Sequence, residues 1–120
     1  MLSKLVNLII RSLGVSLIIL IILLTSINSP ALANIDTDNG AKVFRANCAG
    51  CHVNGGNIVR RGKNLKSRAL HRHKVDTQDA VVSLVTNGKG IMSAYGDKLT
   101  PEQIADVSAY VLQRAEQNWR

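Results

Sequence analysis

Residues 48–52 read Cys-Ala-Gly-Cys-His, and they hold both cysteines of the 120-residue chain. Four chemistries use a cysteine pair at this spacing: a disulfide, a zinc site, a redox dithiol and a covalently attached haem. A redox Cys-x-x-Cys pair sits in a βαβ pattern, and no stretch of this chain alternates as a strand. A structural zinc ion takes four protein ligands. Beyond Cys48, Cys51 and His52 there is no second ligand pair with convincing spacing, since His71 and His73 lie within a run of basic residues. Haem makes a different demand. Two thiols must reach two vinyl groups on one edge of the ring, which fixes their spacing. A histidine directly after them can turn under the ring and ligate iron. The motif C-x-x-C-H meets that demand.

An iron held by His52 has a sixth position. The chain has two methionines, Met1 and Met92, and only Met92 lies after the leader described below. It follows His52 by 40 residues, in the segment NGKGIMSAYGDK between two expected helices. Glycines at 88, 90 and 96 argue against a packed helical face there, so the loop is free to bring a thioether to the opposite side of the ring. A His/Met pair raises the iron potential and suits electron transfer. With both axial positions filled, oxygenase or peroxidase chemistry is not expected. The expected activity is one-electron exchange through an exposed haem edge, with no enzymatic turnover. The alternative from another class is a haem-based sensor in which Met92 dissociates and a gas binds iron. A periplasmic zinc or thiol protein stands third.

Residues 1–33 read differently from the rest. Lys4 and Arg11 open the chain, an uncharged apolar run spans 13–27, and Pro30 precedes Ala31-Leu32-Ala33. That order is a secretory leader with an A-x-A cleavage site after Ala33. The apolar run of 15 residues is short of the roughly 20 that cross a hydrocarbon core. The expected organisation is a cleavable signal over 1–33 and one domain over 34–120, without stable membrane insertion afterwards. The domain carries 13 Lys and Arg against 8 Asp and Glu, a net +5. That balance steers it toward acidic partners. Nucleic acid is not an expected partner, because the chain is exported and poor in aromatics. The core is thin, and a domain this small often needs a staple. A large apolar cofactor is one.

The elements that must position these residues are helical. Residues 36–47 suggest a first helix, with Asp36 or Thr37 as cap and Val43 and Phe44 on its apolar side. Gly40, one turn before Phe44, suits a close backbone contact. Residues 53–64 read as a glycine-rich loop and 65–72 as a short helix. Thr77 caps a further helix that Asn87-Gly88 ends. The segment Thr100-Pro101-Glu102-Gln103 is a capping box with proline at the first helical position. Ile104, Val107, Val111 and Ala115 follow it at helical spacing.

These residues resemble a known family. NGAKVFRANCAGCHVNGGN at 39–57, NGKGIMSAYG at 87–96 and LTPEQIADVSAYV at 99–111 are similar to cytochrome c6, also called cytochrome c-553, over nearly all of 34–120. The resemblance implies an all-α class I cytochrome c fold, about four helices around one haem c, with the first and last helices crossing. It implies that Cys48 and Cys51 hold the haem and that His52 and Met92 ligate its iron. It also implies a monomeric carrier of photosynthetic electrons in the thylakoid lumen or periplasm. The partners would be the cytochrome b6-f complex as donor and photosystem I as acceptor. Some relatives feed a terminal oxidase instead, and a minor low-potential paralogue is a further alternative. Many members have proline after the ligand methionine and phenylalanine two further on. Here those positions are Ser93 and Tyr95, the mark of a divergent c6-like subgroup.

Three other features stand out. Arg60, Arg61, Lys63, Lys66 and Arg68 cluster after the cysteine motif. They form either a docking patch or a solvated loop. His71 and His73 are a poor metal pair, since alternate residues of a helix point to different sides. Trp119 is read as a packing lid or an exposed end.

Overall fold

The computed structural model describes residues 1–25 and 34–120. It divides into two compact units, Met1–Leu32 and Ala33–Arg120. The first unit holds helix α1, Leu2–Thr25, of 24 residues. It begins ahead of the apolar run and takes in Lys4 and Arg11. At 1.5 Å per residue it is about 36 Å long, against a hydrocarbon core about 30 Å thick. Helix length therefore does not separate a leader from an anchor, contrary to the reading of the run alone. The expected cleavage site, at 31–33, lies outside the described residues.

The second unit is helical, and no strand occurs among the described residues. Its α-helices are α2, Thr37–Asn47; α3, Ser67–Arg72; α4, Gln78–Asn87; and α5, Pro101–Glu116. Two short 3-10 turns, Val53–Gly55 and Arg61–Lys63, interrupt the loop between α2 and α3. The helix starts follow their caps. The Asp36 carboxylate accepts from the Asp38 and Asn39 amides, and the Thr77 hydroxyl accepts from the Ala80 amide. Thr100 and Gln103 close a reciprocal capping box on α5.

The core is built where α2, α4 and α5 meet. Val43 and Phe44, Val81 and Val85, and Ile104, Val107 and Val111 form one buried cluster. Helices α2 and α5 lie close together at Gly40. A β-carbon there would fall inside contact distance of the Asp106 carbonyl and 2.9 Å from Tyr110 Cβ. Glycine is what lets the two backbones touch. Asp106 adds a polar tie that sequence reading missed. It is buried, and it accepts from the Asp36 amide at 2.9 Å and the Asn39 side-chain amide at 2.8 Å. A carboxylate at this end of α2 also suits the helix dipole.

The far end of the crossing is closed by aromatic rings. Trp119 lies 5.1 Å from Phe44 and 6.1 Å from Tyr110, centroid to centroid, and its indole N–H donates to the Leu65 carbonyl at 2.9 Å. It is a packing lid. The chain turns back to place it through Asn118 and Trp119 themselves, at φ 53° and 59°.

Candidate haem-binding site

The cysteine motif continues the end of α2. The Cys48 amide donates to the Phe44 carbonyl at 2.8 Å, so Cys48 caps the helix. The Cys51 and His52 amides then both donate to the Cys48 carbonyl, at 3.1 and 2.9 Å. One tight turn thus carries both thiols and the imidazole. The thiols are free rather than bridged. Burial first, and then the neighbouring Cys51, push the Cys48 thiol up to about 11. Reactive redox cysteines have depressed values, and this shift runs the other way.

His52 is half-buried, and its Nδ1 lies 2.8 Å from the Gly56 carbonyl. A carbonyl can only accept, so Nδ1 carries the proton and Nε2 keeps its lone pair for a metal. A hydrogen bond of this kind orients a ligating histidine and raises its basicity. The loop that supplies Gly56 is itself braced. Leu65 N–H donates to the Gly55 carbonyl at 2.7 Å and Ile58 N–H to the Cys51 carbonyl at 3.1 Å. Asn57 accepts from the amides of Val59 and Arg60 and donates to the Lys63 carbonyl. Sequence reading saw this segment only as a loop. The asparagines at 57 and 64, each able to close an Asx-type turn, were the signal available.

Met92 sits in the loop between α4 and α5. Gly88 ends α4 at φ 67°, and Lys89 and Met92 exchange backbone hydrogen bonds of 3.0 and 3.1 Å. The Met92 side chain is half-buried and packs on the same core cluster as Cys48, Ala49 and Tyr95. The four expected donors are therefore placed as three on one turn and one on a loop, with Cys48 and Met92 sharing a core.

The donor set suits a haem iron. Two thiols in a C-x-x-C-H turn, an imidazole whose Nε2 is left out of the Gly56 hydrogen bond and a half-buried thioether are the groups a c-type haem uses. The surrounding surface suits the ring. Ile58 and Val59 beside the cysteine turn, and Ile91 beside Met92, are exposed by 57–68%. These are apolar side chains of the kind a large flat apolar group covers.

The other sequence features fall outside this set. His71 Nδ1 pairs with Asp76 at 2.8 Å. His73 lies just past the end of α3 rather than on it, and its Nε2 faces the Gly62 carbonyl at 3.2 Å. The two imidazoles thus turn to separate partners. Arg60, Arg61, Lys63, Lys66 and Arg68 are all exposed. Among the described residues, His71–Asp76 is the one ion pair, so none of the five meets an acid.

Comparison with known proteins points the same way. A family described as cytochrome c oxidase, cbb3-type, subunit III matches residues 35–111. A cytochrome c6-like protein of Nostoc sp. strain PCC 7120 is 47% identical over 104 residues, covering 87% of this chain and 93% of the relative. The cytochrome c6C crystal structure from Synechococcus sp. PCC 7002 is 59% identical, with a TM-score of 0.64, over 66% of this chain and 96% of that one. Cytochrome c6 from the diatom Phaeodactylum tricornutum is 42% identical, with a TM-score of 0.68, over 70% of this chain and 99% of that one.

Proposed function

The chain belongs to the cytochrome c6 family, and from that premise we propose that Cys48 and Cys51 hold one haem c while His52 and Met92 ligate its iron. Membership makes it an electron carrier with the class I cytochrome c fold. The haem supplies one-electron chemistry through its iron. The residues supply everything else. Cys48 and Cys51 tether the ring through thioether bonds. The Gly56 carbonyl would hold the His52 ring through Nδ1 and leave Nε2 for the iron. Phe44, Val85 and Val107 belong to the buried apolar cluster on which Cys48 and Met92 pack. The observation that carries the reading is the 2.8 Å contact between His52 Nδ1 and Gly56, made on the turn that also bears both cysteines.

The working form is the domain 34–120, with residues 1–33 removed at Ala33 on export to the thylakoid lumen or periplasm. The route we propose runs from the cytochrome b6-f complex to photosystem I. The matching family described as a cbb3-type oxidase subunit favours a terminal oxidase as the second acceptor. A potentiometric titration of the purified holoprotein tests the route. A midpoint between those of the b6-f donor and photosystem I supports it. A midpoint well below the donor assigns the carrier elsewhere.

The basic loop gives this carrier its docking charge. Arg60, Arg61 and Lys63 project from a segment that Asn57 and Asn64 hold in shape, two hydrogen bonds from the cysteine turn. A rigid cluster of like charge steers an acidic partner. Reversing Arg60 and Arg61 to glutamate should slow reaction with that partner on the order of tenfold at low salt. Its rate should also cease to fall as salt rises. An unchanged salt dependence of the second-order rate would show that these residues are only solvated.

A further inference from the structure

Residues 88–99 join α4 to α5 and carry Met92. Backbone hydrogen bonds fasten this loop to α4: Tyr95 N–H reaches the Val85 carbonyl at 3.0 Å and Gly96 N–H the Thr86 carbonyl at 3.1 Å. Among the described residues, one hydrogen bond fastens it to the cysteine side. The Tyr95 hydroxyl donates to the Asn47 carbonyl at 2.9 Å, between residues 48 apart in sequence. Asn47 is the last residue of α2 and directly precedes Cys48. Its carbonyl is one of the four that a helix end leaves without an internal partner, so the phenol fills an acceptor that the fold itself presents. The Tyr95 ring packs on the core cluster that also holds Cys48 and Met92, with the Lys98 ammonium 5.4 Å from its centroid. The hydroxyl therefore comes from a side chain already fixed by packing.

We propose that Tyr95 is a positioning residue, a latch that keeps the Met92 loop closed on the cysteine turn. The inference rests on the reading that Met92 ligates iron. For the thioether to leave, the loop must swing away from the cysteine side, and Tyr95 is its hydrogen bond to that side. The latch and the ligand bond thus act in parallel. Losing the hydroxyl leaves the ring and its packing in place but eases every opening of the loop. A net hydrogen-bond contribution of about 1 kcal/mol corresponds to about fivefold in that equilibrium.

The test uses the oxidised holoprotein and imidazole, which competes with methionine for ferric iron. Tyr95→Phe should bind imidazole about fivefold more tightly than the parent. Thr100→Ala, which removes the α5 cap on the far side of the loop, should leave imidazole affinity unchanged while lowering the melting temperature. Equal affinities in Tyr95→Phe and the parent would overturn the latch, and so would an equal gain in Thr100→Ala. Both of these results leave Met92 as ligand. A parent protein with no methionine–iron charge-transfer band would instead remove the ligation reading, and the latch with it.

Discussion

Replacing Met92 by alanine should lower the midpoint potential by a few tenths of a volt, within the span of about 0.8 V that axial ligands command. The cause is the donor. A thioether is a soft, uncharged ligand that favours ferrous over ferric iron. With Met92 as the proposed ligand, Met92→Ala would leave the sixth position to water or hydroxide, harder donors that favour the ferric state. Covalent attachment should survive, because Cys48 and Cys51 sit on a turn held by the Phe44 and Cys48 carbonyls, with no contact from the Met92 side chain in that hydrogen bonding. The variant should therefore stay red after acid–acetone extraction while its charge-transfer band disappears. A potential within tens of millivolts of the parent, on the scale of about 0.8 V that ligands span, would mean that another group fills the sixth position.

The second large effect is on stability. Gly40→Val should cost on the order of 3 kcal/mol, the upper end for overpacking a tight site. In a domain of this size that lowers the melting temperature of the holoprotein by roughly 12–24 °C. The atoms a side chain would meet are the backbone carbonyl of Asp106 and Tyr110 Cβ. Neither can rotate away, so α2 and α5 must part. Parting them also pulls the Asp36 amide and Asn39 from the buried Asp106 carboxylate. Better helix propensity offsets less than about 1 kcal/mol of this. A fall of under about 5 °C would show that the crossing can widen freely.

Much of this was legible in the residues, and the reasons differ from place to place. The caps at Asp36, Thr77 and Thr100 are local chemistry, so the starts of α2, α4 and α5 follow from a few adjacent residues. Gly40 could be suspected of a close contact, because glycine inside a helix needs a reason. That the contact is Asp106 could not be seen, since the two are brought together only by the crossing. The same holds for Tyr95. Its hydroxyl was visible as a departure from the family pattern, but its acceptor, Asn47, lies 48 residues earlier at the end of α2. The loop at 53–64 was the least legible stretch. Its order comes from side-chain amides folding back on the backbone, which leaves no hydrophobic period to read. The leader is expected from its basic start, apolar run and A-x-A site together; the helix over Leu2–Thr25 extends beyond the apolar run and takes in Lys4 and Arg11.

Those local and long-range features converge on one claim, a haem iron closed on both faces by side chains of this protein. The visible spectrum of the reduced holoprotein, recorded before and after addition of carbon monoxide, tests it most directly. With His52 and Met92 both bound, the spectrum should show a sharp α-band that carbon monoxide leaves unchanged. Rapid conversion to a carbon monoxide adduct would contradict the account, and would make the protein a ligand-binding sensor rather than a carrier of electrons.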